Sequence, residues 1–137
     1  MESVSNAIDR SNYFKVRDTS NFMLDMDTVG IKWWDKECAD GTVKVAIAGG
    51  PLHNGCFPWF VSDEQGLPEP YDIREIIQEH VHPDDVAILV GVASQGIKYL
   101  DGWASIITFQ DIRSMTLSEW VANTLESLGR KASDFHY

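Results

Sequence analysis

Two stretches of the chain repeat apolar residues with the spacing of an amphipathic helix. In residues 72–81, Ile73, Ile76, Ile77 and Val81 share one face, while charged and amide side chains occupy the other. The first residue of this stretch is an Asp with a Glu three positions later, a pairing that favours a helix start. The pattern predicts a helix over 72–81 with one buried face.

The second stretch follows Thr116, which has Glu119 three positions later and so forms a capping box. Gly129 supplies a helix stop, so we predict a helix over 117–128. Its apolar stripe, which we expect to face the core, comprises Leu117, Trp120, Val121, Leu125 and Leu128.

Strand signals surround the dipeptide Asp40-Gly41, which favours a two-residue hairpin turn. Residues 31–38 and 42–48 would form its arms, with Trp34 opposite Ile47 and Glu37 opposite Lys44. In this register Trp34 points to the core and Trp33 to the other face, because side chains alternate along a strand.

Further strands are predicted with weaker signals. A second Asp-Gly pair, Asp101-Gly102, indicates a hairpin between 97–100 and 103–109, where Trp103 would face the core. The segments 13–17 and 59–61 are rich in aromatic and β-branched residues, so they are also strand candidates.

Residues 86–93 are apolar on every side, which is typical of a central strand. The alternative is a helix that begins near Pro83 and ends at Gly96; we favour the strand. Together the elements predict a single α+β domain over 12–129. Its largely antiparallel sheet of about five to seven strands would be covered by two or three helices. We expect 1–11 to be flexible and 130–137 to form a short tail.

Composition narrows the function. The 137 residues include 21 acidic and 11 basic side chains, for a net charge of -10, and such acidity disfavours direct binding to nucleic acid or an anionic membrane. No secretory signal or membrane span is evident, so we expect a cytoplasmic protein whose two cysteines, Cys38 and Cys56, stay reduced. No sequence feature calls for a cofactor.

The acidic residues are concentrated. Between Val45 and Ile97 there are eight acids and one base, Arg74, so this stretch could form a face that attracts a basic partner. Interfaces also favour exposed tryptophan. The predicted partner-binding residues are Asp63, Glu64, Glu69, Glu75, Glu79, Asp84, Asp85, Trp33 and Trp59.

A catalytic alternative lies in the glycine- and proline-rich loop over 49–58. There, Cys56 could act as a nucleophile with His53 as its base. The thiol would need a lowered pKa for that role. The more ordinary interpretation is a shaped connection whose Cys56 and Phe57 fill a gap in the core.

A metal alternative lies in residues 80–85, where His80, His82 and Asp84 have the spacing of metal ligands. The run resembles the H-x-H-x-D-H motif of metallo-β-lactamase-fold hydrolases over six residues. Asp85, however, stands where that motif has its last His, and the run follows a predicted helix rather than a strand. The sequence therefore does not assign that family, and the ordinary interpretation is that both histidines serve local structure.

These patterns favour a non-enzymatic role. We expect a small acidic protein-binding module, of the inhibitor, immunity or adaptor kind, that docks a protein with a basic surface through residues 62–85. That partner could itself be a nucleic-acid-binding protein. A small hydrolase-like enzyme using Cys56 and His53, or a metal at His80 and His82, is the alternative. A structural subunit that forms a homo-oligomer through Trp33 is a third.

Overall fold

A six-stranded antiparallel sheet organises the chain in a computed structural model, which describes residues 5–50, 54–95 and 99–133. These residues form eight strands and three helices, an α+β arrangement as predicted. Their bounds are β1 Ser5–Ser11, α1 Thr19–Val29, β2 Lys32–Glu37, β3 Val43–Ala48, β4 Phe60–Ser62, β5 Pro68–Pro70, α2 Ile73–His80, β6 Ala87–Gln95, β7 Tyr99–Ile107, β8 Ile112–Thr116 and α3 Leu117–Leu128. The strand order in the main sheet is β2-β3-β1-β6-β7-β8, and β4 pairs with β5 in a separate small sheet.

Strand β1 lies in the middle of the sheet, although residues 1–11 were predicted to be flexible. It pairs with β6 from Ser5 to Ser11 and contacts β3 at Arg10. The prediction missed it because its polarity is inverted: Asp9 and Ser11 are buried, whereas Ile8 is 61% exposed. A pattern that places polar side chains inside gives no conventional strand signal.

The β2–β3 hairpin forms as predicted but in a register shifted by one residue. The N–H of Cys38 donates to the Thr42 carbonyl at 2.7 Å. Gly41 has φ +85° in the three-residue loop between them, a conformation that suits glycine. Trp33, rather than Trp34, therefore lies opposite Ile47. The prediction placed the wrong tryptophan toward the core, because a one-residue shift exchanges the two faces of a strand.

The favoured strand over 86–93 is confirmed by β6, which pairs with β7 along its length. The predicted turn at Asp101-Gly102 is wrong, because both residues lie inside β7 opposite Ala93 and Val92. The Asp101 carboxylate accepts hydrogen bonds from the Gly102 N–H and from the Ser118 hydroxyl at the start of α3. Its side chain thus connects a strand to a helix instead of shaping a turn.

Two helices match their predictions, and a third was missed. Helix α2 begins after the Asp72 cap, and α3 has the capping box of Thr116 and Glu119. The missed helix, α1, is capped by Asp18 and ends at Gly30. It buries only Phe22 and Met26, which is too short an apolar repeat to stand out in the sequence.

The core lies on one face of the sheet, under α1 and α2. Phe22 and Met26 of α1 and Ile73 and Ile77 of α2 belong to one buried cluster with strand residues such as Ile47. We call this face of the sheet the inner face and the opposite one the outer face.

Helix α3 differs from the other two, because it buries none of its residues and leaves Trp120 57% exposed. The prediction that its stripe faces the core is therefore wrong. None of the described helices has the length and apolar character needed to cross a membrane.

Candidate functional site

The acids predicted to form a docking face fall into two groups, and the first group serves the fold. Asp63 accepts hydrogen bonds from the N–H groups of Gln65 and Leu67 and so closes the β4–β5 turn. Asp72 caps α2 and holds Arg74 through two hydrogen bonds of 3.0 Å. The Arg74 guanidinium consequently holds the pKa of the Asp72 carboxyl below its usual value. These two carboxylates are poor docking groups, because they already have partners.

Asp85 also belongs to this structural group. It accepts hydrogen bonds from the N–H groups of Lys15 and Val86 at 2.8 Å and lies 3.5 Å from the Lys44 ammonium. Burial raises the pKa of Asp85, but these hydrogen bonds and Lys44 outweigh burial and the pKa is lowered. Its neighbour Asp84 is exposed and lies 3.7 Å from His82 Nδ1. The end of the predicted face near 84–85 is therefore partly neutralised.

The second group is open to solvent: Glu64, Glu69, Glu75 and Glu79 are exposed. No ion pair among the described residues involves any of the four. They are carried by the β4–β5 hairpin and by α2, which follow one another along the chain. We define these four glutamates as the acidic surface.

Helix α1 places the Asp25 carboxylate beside the end of α2, where its Oδ2 lies 2.6 Å from His80 Nε2. Burial, together with the charges of Asp25 and Glu79, raises the pKa of Tyr71 to about 12. Asp25, from α1, therefore lies near enough to α2 to act with Glu79 on the same phenol. Sequence reasoning missed Asp25, because it lies far along the chain from 62–85.

A pocket of about 340 Å³ lies where Trp59, just before β4, and Arg74 of α2 meet β7, β8 and the first turn of α3. Trp59 and Trp103 form one wall, with ring centroids 6.0 Å apart in an edge-to-face arrangement. The Arg74 guanidinium lies 5.7 Å from the centre of the Trp59 ring, a cation–π distance. Arg74 Nη1 also donates to Ser114 Oγ at 3.3 Å. Asp72, Arg74 and Trp103 therefore hold Trp59 in place while 39% of it stays exposed.

The other predicted contact tryptophan, Trp33, has a different environment. It packs against the buried core cluster, and its indole N–H donates to Asp27 of α1 at 2.7 Å. The structure thus separates the two tryptophans: Trp59 adjoins the acidic surface, and Trp33 joins β2 to α1.

The buried carboxylate of Asp9, which the sequence did not reveal, forms hydrogen bonds that position the residues around Trp59. Asp9 Oδ2 accepts the Phe57 N–H at 2.7 Å, and the Trp103 side chain also donates to Asp9. Burial raises the pKa of Asp9, although these two hydrogen bonds lower it. The backbone of Asp9 also forms hydrogen bonds with the backbones of Gly49 and Gly55. One residue of β1 therefore positions both Trp103 and the loop that leads to Trp59.

The same carboxylate weighs against the thiol alternative. Burial and the nearby charge of Asp9 raise the pKa of Cys56, whereas a nucleophilic cysteine needs a lowered one. His53 lies outside the described residues. The environment of Cys56 is thus one that keeps it a neutral thiol.

The histidines of the metal alternative have separate local partners. His80 Nε2 lies 2.6 Å from Asp25 Oδ2, and its ring packs edge-to-face on Phe22. His82 Nδ1 accepts the N–H of Asp84 at 3.1 Å. Within residues 5–50, 54–95 and 99–133, no group of three His, Cys, Asp or Glu side chains could hold a metal ion.

Comparisons with known proteins add no assignment to this geometry. No protein-family model matches the chain, and neither the curated proteins nor the solved structures include a match to it. The acidic surface and the pocket beside Trp59 are therefore the features of the molecule that indicate a function.

Proposed function

We propose that this protein is a small protein-binding module, of the inhibitor, immunity or adaptor kind, that docks a basic partner through the acidic surface. The observation that carries the proposal is the exposure of Glu64, Glu69, Glu75 and Glu79 without ion pairs among the described residues. Exposed carboxylates that are not engaged in ion pairs leave a negative potential, which attracts a positively charged surface and speeds its association.

Trp59 supplies what charge alone does not, namely an apolar contact. Interface energy is concentrated in a few residues, with tryptophan and arginine over-represented among them. Trp59 is already held by Arg74 and Trp103, so little conformational entropy is lost when a partner covers it. We therefore place Trp59 at the centre of the proposed contact and the glutamates around it.

The test is to capture partners from the native cell with three forms of the protein. These are the unmodified chain, the double variant Glu75→Lys/Glu79→Lys, and the matched control Glu37→Lys/Glu126→Lys. The control changes the net charge equally but at exposed positions on β2 and α3. We expect one basic protein to be retained by the unmodified chain and the control but not by the double variant.

The captured protein, once purified, then permits a quantitative test. Its dissociation constant should rise by roughly tenfold or more in the Glu75→Lys/Glu79→Lys variant and should rise with salt, since exposed charges are screened over about 8–10 Å near physiological ionic strength. Trp59→Ala should weaken binding at every salt concentration. A partner whose dissociation constant changes neither with the charge reversal nor with the salt concentration would contradict the proposal.

A further inference from the structure

The outer face of the sheet carries an apolar surface that the acidic surface does not explain. Ile88, Val90 and Val92 of β6, Ile106 of β7, Met115 of β8 and Trp120 of α3 are each between 38% and 57% exposed. Strand pairing places the five strand residues side by side: Ile88 lies opposite Ile106, Val90 opposite Ala104, and Ala104 opposite Met115. Trp120 lines one pocket with Val90, Val92 and Met115. We define these six residues as the outer patch.

The area of this surface is unusual for a chain that works alone. The six residues of the outer patch expose roughly 600 Å² of surface, and their exposed neighbours Ile8 and Leu117 raise this to on the order of 800 Å², about what one partner contributes to a standard protein interface. The largest apolar patch of a typical monomer is roughly 300–600 Å². The outer patch is therefore large enough for a stable interface.

Charge around the outer patch selects the kind of partner. None of its six members is charged, although Arg113 of β8, which lies opposite Ile106 and 4.0 Å from Asp111, borders it. The acidic surface is carried by the hairpin and by α2, which packs on the inner face. The other half of the outer face, on β1, β2 and β3, carries basic side chains: Arg10, Lys32, Lys36 and Lys44. Two copies would repel each other through the basic half of the outer face. Any self-contact is therefore restricted to the apolar half on β6, β7 and β8.

We infer that the outer patch is a homodimer interface, in which a second copy of this chain packs its own outer patch face to face about a two-fold axis. Such a contact is self-complementary, as a two-fold interface requires. Its β-branched side chains suit the packing of two sheets about 10 Å apart. The arrangement also keeps the two acidic surfaces on the far sides of the dimer, so that two chains of net charge -10 associate with little repulsion. It leaves Trp33, which packs on the core side, out of the contact.

The experiment is sedimentation equilibrium of the full chain at micromolar concentrations. We expect the unmodified chain to be a dimer and Val92→Glu to raise its dissociation constant by about 100-fold, because a carboxylate would be buried without a partner. The matched control is Leu24→Glu, which places the same charge on an exposed leucine of α1. It should leave the dimer intact.

If Val92→Glu does not fold, a second variant and a salt series still test the inference. Trp120→Ala removes an exposed side chain from α3 and should weaken the dimer by roughly tenfold. Added salt should strengthen self-association, because it screens the repulsion between like-charged chains. A chain that stays monomeric at micromolar concentrations would overturn the inference, whether the patch stays open or is covered by the chain's own termini. A dimer that resists both variants would overturn it too.

Discussion

The two faces of the sheet differ in what their side chains do. On the inner face, buried polar groups are hydrogen-bonded: Asp9 accepts from Phe57 and Trp103, and Ser105 is bonded to Ser114. On the outer face, β6 exposes Val90 and Val92 to solvent. One strand can thus serve as the core of the domain on one side and as a contact surface on the other. The inner face fixes the fold, and we infer that the outer face and the acidic surface mediate association.

The largest expected effect comes from a side chain added at Gly91, where the inner face leaves no room for one. A Cβ there would clash with Trp103 Nε1 and with Asp9 Oδ1. Gly91→Ala should lower the free energy of unfolding by about 3 kcal/mol or more, because the core must shift to admit the methyl group. Urea unfolding monitored by circular dichroism measures the loss.

Gly102→Ala is the control for that comparison. Gly102 lies opposite Val92, and its added Cβ would meet the Gly91 carbonyl oxygen at 3.3 Å and a Val92 methyl group at 3.7 Å. The cost should therefore be well below that of Gly91→Ala. Equal losses at the two glycines would show that the inner face is no more tightly packed there than the outer one.

The next effect concerns the buried carboxylate. Asp9→Asn replaces one acceptor oxygen with an NH₂ group that faces a donor, so it should lower stability by about 1–3 kcal/mol. Because the pKa of Asp9 is raised on folding, its contribution to stability falls as pH rises from the unfolded pKa through the folded one. The difference in the free energy of unfolding between the unmodified chain and Asp9→Asn should consequently decrease with rising pH. A gap that widens instead would mean that Asp9 ionises more easily in the folded chain.

Asp85 should show the opposite pH dependence, and its contribution to the free energy of unfolding should be smaller. Its pKa is lowered on folding, so its contribution is present above the unfolded pKa and is lost as pH falls through the folded pKa. Asp85→Asn should cost about 1 kcal/mol at neutral pH and nothing at strongly acidic pH. Thermal unfolding across a pH series measures both, with Asp84→Asn as the control because Asp84 is exposed and lacks these backbone partners.

The smallest expected effect concerns the rate at which a cysteine is alkylated. Cys56 should react slowly with iodoacetamide at neutral pH, because burial and Asp9 raise its pKa. Mass spectrometry resolves its alkylation from that of Cys38. Reaction of Cys56 faster than that of an unfolded cysteine would restore the thiol alternative.

How far the sequence predicted this structure depended on how local each signal was. Helix α3 was predicted because its caps and apolar repeat lie within one segment. Strand β1 was not, because it buries Asp9 and Ser11. The register of the β2–β3 hairpin was off by one residue, because Asp-Gly fits a three-residue loop as well as a two-residue turn.

The candidate site was predicted only in part. The exposed glutamates follow from composition, and Trp59 was selected as an exposed aromatic. The pocket that holds Trp59 was not predictable, because Arg74, Trp103 and Ser114 come from three elements that only the folded chain brings together. The cap at Asp72 was predicted. The sequence could not show, however, that Asp63 serves a turn and Asp85 an ion pair instead of a partner.

The most direct test of the two-face account is sedimentation velocity of the chain with its captured partner across a salt series. The account predicts opposite responses: the complex with the partner dissociates as salt rises, while the homodimer persists or strengthens. Two associations that weaken together with salt, or that are both abolished by Glu75→Lys/Glu79→Lys, would contradict the separation of the molecule into an acidic docking side and an apolar self-association side.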